Sequence, residues 1–325
     1  MNALTKESSL EDGRLEIAVL VPCLNEVAGI TAVVNAFRRA LPDARIYVYD
    51  NASTDDTFAV AAAAGAIARR EPARGKGNVV RRMFADVEAD VYVLVDGDGT
   101  YDAPSAPTMI ALLEEQQLDM VCGKRIDSEQ AAYRQGHRLG NRVLTGLVAN
   151  LFGNSVTDIL SGYRVMSRRF VKSFPALSKG FEIETELTVH ALDLRVPIAE
   201  VATPYGVRAH GTASKLNTWR DGWRILRTIG RLVKEERPFA FFFSGGAALA
   251  LLSIVLAIPV VVDFLHTGLV QRIPTAVLAT GIMLVAVMSF VCGLILDTVT
   301  RGRREIKRMH YLLHSNQGTA RARKP

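Results

Sequence analysis

The stretch VYVLVDGDGTYD, from Val91 to Asp102, passes without a break from an apolar run into three carboxylates. An uncharged, β-branched segment of this kind reads as a strand buried on both faces, and such strands belong to parallel sheets covered by helices. Sheets of that class bind ligands beyond the carboxyl ends of their strands, where the strand order reverses. Asp96 and Asp98 are therefore expected at a ligand-binding edge. Asp102, further along, is expected to cap the helix that follows.

The same alternation runs outward on both sides. LEIAVLVP (15–22) reads as a first strand, followed by a helix from about Glu26 to Ala40. RIYVYD (45–50) is a second strand, and TDDTFAVAAAA opens a helix with Thr54 as its N-cap. A short strand over 66–69 precedes the turn Gly75-Lys76-Gly77 and another helix. APSAPTMIALLEEQ follows the acidic stretch as a helix, and DMVCGK (119–124) is the last strand of the run. Strands alternating with helices predict a doubly wound, mainly parallel α/β sheet. In that topology PCLNE, DNASTDD, DGDGTYD and GKR all stand at one edge and converge on one pocket.

Two carboxylates one residue apart can face a single hard cation, Mg²⁺ or Mn²⁺, whose shell is completed by phosphate oxygens and water. A calcium loop starting at Asp96 is excluded, because Tyr101 and Pro107 stand where glycine and glutamate are required. Asp50 could accept hydrogen bonds from a base or ribose, or form a capping turn. Gly75-Lys76-Gly77 could admit backbone amides and a cation to a phosphate, although the P-loop pattern is absent. No GxGxxG follows strand one, which argues against a nicotinamide or flavin site.

Composition points to an anionic partner. The 325 residues carry a net charge of +6. Cys23, Cys122 and Cys292 are odd in number and widely spaced, so a reducing compartment is expected and neither a disulfide framework nor zinc spacing is visible. The polar N-terminus has no apolar core, which predicts no cleavable signal peptide. Two uncharged runs, Pro238–Val262 and Ile273–Leu296, are each long enough for a hydrocarbon core that needs roughly 20 residues. The short link DFLHTGLVQR makes them a transmembrane hairpin. Cations flank it at Arg231, Lys234 and Arg237 and again at Arg301, Arg303, Arg304, Lys307 and Arg308, which places both termini and the catalytic domain in the cytoplasm. Between domain and hairpin, Trp219, Trp223, Leu226, Ile229, Leu232 and Val233 oppose Arg220, Arg224, Arg227, Arg231 and Lys234 at helical spacing. That pattern describes an amphipathic helix in the headgroup layer. The basic charge belongs with a membrane and not with nucleic acid. The expected organisation is a catalytic domain over 1–215, the interfacial helix over 216–237, a hairpin over 238–300 with spans near 239–264 and 274–297, and a basic tail over 301–325. Gly245 and Gly246 would permit close helix packing, a hint of a homo-oligomer.

PCLNE (22–26), Asp50, DGD (96–98), GKR (123–125), SGYR (161–164) and HGTASK (210–215) stand in an order that resembles the GT-A-fold glycosyltransferases of family 2. The likeness is to the polyprenyl-phosphate type, the dolichol-phosphate mannose synthases and their bacterial undecaprenyl relatives, and covers about residues 15–237. It implies that Pro22, Leu24, Glu26, Asp50, Lys76, Asp96, Gly97 and Asp98 line the nucleotide-sugar pocket, with Asp96 facing the ribose or the metal and Asp98 a direct ligand of Mg²⁺ or Mn²⁺. Thr100 stands where many members carry a glutamine that joins the metal. Arg125 would hold the donor sugar or acceptor phosphate, and Arg164 would lie near the acceptor phosphate. Arg208 and Lys215 would neutralise the diphosphate and lipid phosphate, although they span one residue more than the common R-x-x-G-x-S-K spacing. Glu182 or Glu186 would position the sugar or the basic residues.

The implied reaction is inverting transfer from a UDP- or GDP-linked sugar to a polyprenyl phosphate in the bacterial inner membrane. A phosphate monoester is already ionised near neutrality, so the enzyme's task is to bring anions together with cations and a metal. A processive polysaccharide synthase would carry a Q-x-x-R-W motif and more spans. A nucleotidyltransferase would want a glycine-rich loop where PCLNE stands. A catalytically silent membrane scaffold, or a family 2 transferase acting on another lipid or polysaccharide, is the remaining reading.

Overall fold

The computed structural model describes residues 15–127, 146, 157–178, 180, 182–206, 234 and 237–314. Arg208, Lys215 and nearly all of the expected interfacial helix lie outside the described residues. The described residues fall into two compact units, one within Met1–Gly222 joined by the segment from Lys307 onward, the other within Trp223–Ile306.

In the first unit β1 (Ile17–Cys23), α1 (Ile30–Ala40), β2 (Arg45–Asp50), α2 (Thr57–Ala63), β3 (Ile67–Arg70), α3 (Lys76–Asp86), β4 (Val91–Leu94) and α4 (Ser105–Glu115) alternate as expected. Then come β5 (Met120–Asp127), β6 (Arg164–Ser167), α5 (Arg168–Ser173), α6 (Ile183–Leu194) and β7 (Ile198–Tyr205). The sheet order is β3-β2-β1-β4-β6-β5-β7. β1 is parallel to β2 and β4, β2 to β3, and β5 to β7; β6 alone is antiparallel, to β4 and β5. The order reverses at β1, so the crevice that binds ligands in such sheets opens past Cys23 and Leu94.

Alternation along β1 explains the layers. Val19, Val21 and Cys23 face a core with Val33, Val34 and Phe37 of α1 and Met109 of α4. Ala18 and Leu20 face the other core with Val79, Val80 and Met83 of α3 and Leu187 of α6. Each buried Val, Leu, Met or Phe among them contributes about 1.5–3 kcal/mol by leaving water.

Three boundaries differ from expectation. α1 begins at Ile30 and not at Glu26: Asn25 takes a left-handed φ of 52°, and a hydrogen-bonded turn over Glu26–Gly29 leads into the helix. Asp56, not Thr54, is the N-cap of α2. Thr54 instead sends its N–H and hydroxyl to Asn25 Oδ1. β6, only four residues opening with an arginine, and β7 have no counterpart in the sequence reading.

In the second unit α7 (Pro238–Thr267) and α8 (up to Ile306 of Ile273–Leu313) are long and apolar enough to cross a membrane, with mean hydropathy of 2.6 and 2.4 over their best windows. Ser253 Oγ donates to Ala279 O at 2.8 Å, and Asp263 pairs with Arg272 at 2.9 Å beside the connecting turn. A methyl on Gly246 would stand 3.0 Å from Ala286 O, so this glycine closes the hairpin itself. The first part of the stretch expected as a basic tail from 301 is helical, since α8 runs to Leu313. Its last turns belong to the first unit, where Lys307 reaches Asp193 at 3.1 Å and Tyr311 donates to Asp119 Oδ2 at 2.7 Å.

Candidate active site

Two loops at the carboxyl edge are stapled together. Asn25 N–H donates to Ser53 Oγ at 2.9 Å and Glu26 N–H to Thr57 Oγ1 at 2.9 Å. PCLNE and DNASTDD thus form one wall. From the same wall Asn51 accepts from Gly75 N–H at 2.7 Å and donates to the carbonyls of Glu71 and Ala73. That buried amide sets the turn from which Lys76 opens α3, with Gly75 at a φ of 124° that only glycine adopts at little cost.

The expected convergence of acid is present. Glu26, Asp50, Asp96 and Asp98 surround Cys23; burial first, and then these four carboxylates, push its thiol well above the ordinary range. Asp50 is buried and accepts from Ser53 N–H. Asp98 is buried, and its Oδ1 accepts both the N–H and the hydroxyl of Thr100, the latter at 2.6 Å. Thr100 therefore orients Asp98. Gly97 has no room for a side chain, since a Cβ there would stand 2.4 Å from Cys23 Sγ. Asp96 lies against Gly162 of SGYR, where a Cβ would come within 2.7 Å of its carboxylate. Asp102 accepts the Ser105 hydroxyl at 2.6 Å in the turn before α4, whose N-cap is Pro104.

Lys76 reaches between Asp96 and Glu184, bonding a carboxylate oxygen of each. Burial would lower its pKa, but the two carboxylates hold it above the ordinary lysine range. Burial, opposed by Lys76, raises Glu184. Glu184 was not among the expected residues. Three glutamates two positions apart in FEIETE point to different sides of α6, and hydropathy does not choose among them. Glu186 instead clamps the preceding loop, accepting from Leu177 and Ser178 N–H at 2.8 Å each. Glu182 stands at the N-cap of α6 with its carboxylate over Gly180.

Arg125 and Arg164 differ in kind. Arg125 is bidentate on Asp158, with both bonds at 2.8 Å, and its guanidinium lies 5.5 Å from the Tyr205 ring. Burial would raise Asp158, but Arg125 holds its carboxyl below the usual carboxylate range. Asp158 was also missed; it stands 33 positions from its partner and carries no local signal. The expectation for Arg164 is corrected. Its side chain is fully buried and donates to the carbonyls of Ser161, Ile159 and Glu184 at 3.1, 2.8 and 2.9 Å. Expected near the acceptor phosphate, its guanidinium is instead spent on carbonyls, as a strut that joins β6 to α6. Tyr101, whose hydroxyl accepts from Gly162 N–H at 2.8 Å, packs tilted against Tyr163 and edge-on against Tyr205 and ties the acidic loop to β7.

Asp96 and Asp98 offer hard oxygen donors at the strand end, and Asp96 already engages a cationic group, the Lys76 ammonium. Among the described residues no cluster of three or more His, Cys, Asp or Glu forms a closed cage. The pair fits a hard divalent ion that takes one or two carboxylates and completes its shell with substrate oxygens.

The sequence model of glycosyl transferase family 2 matches residues 18–174. Glycosyltransferase AglJ of Haloferax volcanii is 32% identical over 299 residues, spanning 91% of this chain and 98% of AglJ. A dolichol-phosphate mannosyltransferase of Pyrococcus furiosus is 25% identical over 240 residues, 68% of this chain and 65% of that protein. Among solved structures, glucosyl-3-phosphoglycerate synthase from Mycobacterium tuberculosis, in complex with Mn²⁺, uridine-diphosphate and glucosyl-3-phosphoglycerate, is similar with a TM-score of 0.55. It is 28% identical, and the match covers 70% of this chain and 82% of that one.

Proposed function

The chain belongs to glycosyl transferase family 2 and is a nucleotide-sugar glycosyltransferase; from that premise we propose that its acceptor is a polyprenyl phosphate in a membrane. The observation that carries the proposal is the joining, in one chain, of a GT-A domain to two helices long and apolar enough to span a bilayer. A long lipid phosphate does not leave the membrane, so an anchored catalytic domain meets it at the surface. The likeness to a dolichol-phosphate mannosyltransferase supports the same acceptor class.

In this reading Pro22, Leu24, Glu26, Asp50 and Lys76 bind the donor, and Asp96 and Asp98 hold Mg²⁺ or Mn²⁺. The ion, when bound, supplies positive charge to the diphosphate leaving group. Thr100 orients Asp98 through its hydroxyl, and Asp158 orients Arg125 toward the donor sugar or acceptor phosphate. Arg208 and Lys215 lower the repulsion between the two anions, and Glu182 positions the sugar. Direct attack of the lipid phosphate oxygen inverts the anomeric carbon. The catalytic domain and both termini lie on the cytoplasmic side, with the boundaries at 215, 237 and 300 as expected from the sequence.

Membranes carrying the protein, incubated with polyprenyl phosphate and a panel of labelled UDP- and GDP-sugars, test this. Label from one sugar should enter the lipid with inverted configuration. Label that enters a polymer or a different lipid, with the polyprenyl phosphate left unlabelled, would overturn the acceptor assignment.

A further inference from the structure

We propose that Lys76 is a built-in counter-cation of the metal-free site, and that Glu184 is the positioning residue that receives its ammonium when a divalent ion takes Asp96. The inference rests on Asp96 and Asp98 being the metal carboxylates.

The base of Lys76 is fixed and its tip is adjustable. Asn51 holds Gly75 and the carbonyls of Glu71 and Ala73, so the residue before Lys76 is anchored to the end of β2. The lysine side chain is 9% exposed and runs inward to Asp96 Oδ1 and Glu184 Oε1. A lysine tip is a compact charge on a flexible stem with three donors, so it can turn between two acceptors without backbone movement. An arginine fork or a backbone amide could not.

Glu184 is a fixed acceptor with capacity to spare. Its carbonyl accepts from Arg164 at 2.9 Å, which ties this turn of α6 to β6. Its side chain is 6% exposed, and Oε2 is buried without a hydrogen-bond partner among the described residues. A buried carboxylate oxygen left unmatched is unfavourable, and a second ammonium hydrogen would match it.

Charge decides the direction of movement. Asp96 is the more exposed carboxylate of the two, with its side chain 30% exposed, and stands at the strand end beside Asp98. A divalent ion arriving there repels the ammonium, and Glu184 lies within its present reach. Lys76 then rests on Glu184 and Asp96 is released to the ion. The affinity of the empty enzyme for metal is thereby set by competition with its own lysine.

Mn²⁺ alone, titrated without nucleotide into the full-length protein in detergent and read as free Mn²⁺ by electron paramagnetic resonance, tests the competition. Thermal unfolding reports integrity. Lys76→Met should tighten Mn²⁺ by about ten-fold, while Lys76→Arg, which keeps the charge, should not. Glu184→Gln leaves the ammonium to Asp96 and should weaken Mn²⁺ by about ten-fold, an effect that shrinks in the Lys76→Met background because Glu184 acts through the lysine. Lys76→Met binding no tighter than wild type overturns the inference. So does a Glu184→Gln effect undiminished in that background. If Lys76→Met does not fold, Glu184→Gln decides alone: weaker binding supports the inference and unchanged binding overturns it. No Mn²⁺ binding by wild type or any folded variant overturns the metal reading itself, and the inference falls with it.

Discussion

The two edges of the sheet use the same residue type to opposite ends. At the amino edge Asp119, fully buried before β5, has both oxygens matched. Oδ1 accepts from Ser167 and Arg169 at 2.6 Å each, and Oδ2 from Arg169 at 2.8 Å and Tyr311 at 2.7 Å. At the carboxyl edge Asp96 and Glu184 share one lysine, and an oxygen of Glu184 has no hydrogen-bond partner among the described residues. A saturated carboxylate closes a structure; an undersupplied one is prepared to receive a cation. Burial alone does not distinguish them, since Asp98 and Asp119 are both buried.

Substitutions at each edge should separate the roles. Asp98→Asn keeps the shape and the bond from Thr100 but removes charge from the metal pair. Transfer should fall by about 10²-fold or more while thermal stability stays near wild type. Equal loss of fold and activity would erase the distinction. Asp119→Ala should do the reverse. It leaves Arg169 and the Tyr311 hydroxyl without their acceptor and should destabilise by about 3 kcal/mol in urea unfolding, with activity per folded molecule retained.

The most gradual effect is one of pH. His190, beside Phe170 and Phe174, has its pKa lowered to about 3 by burial and then by Lys307. The unfolded chain takes its proton near the ordinary value of about 6.5, so stability falls as pH drops below that point, by at most about 1.4 kcal/mol per unit. His190→Gln should show a shallower loss of stability between pH 6.5 and 4 than wild type. Parallel slopes would mean that His190 is not held neutral.

What was legible in the sequence was whatever a local pattern encodes. β2 agrees with RIYVYD at both ends, because an apolar run between turn residues leaves one way to bury it. The two long apolar C-terminal helices declared themselves by uninterrupted hydropathy. The convergence of PCLNE, DNASTDD and DGD followed from parallel topology alone. Boundaries slipped where a side chain found a distant partner, as Thr54 did in Asn25. Only the tertiary structure decided which charges meet. Glu184 pairs with a lysine 108 positions away, Arg125 takes Asp158, and Arg164 turns inward to carbonyls. These choices depend on the rotation of α6 and the register of β6, which no window of sequence contains. Hydropathy determined the layers of this protein; the geometry of packing determined which of its charges remain available.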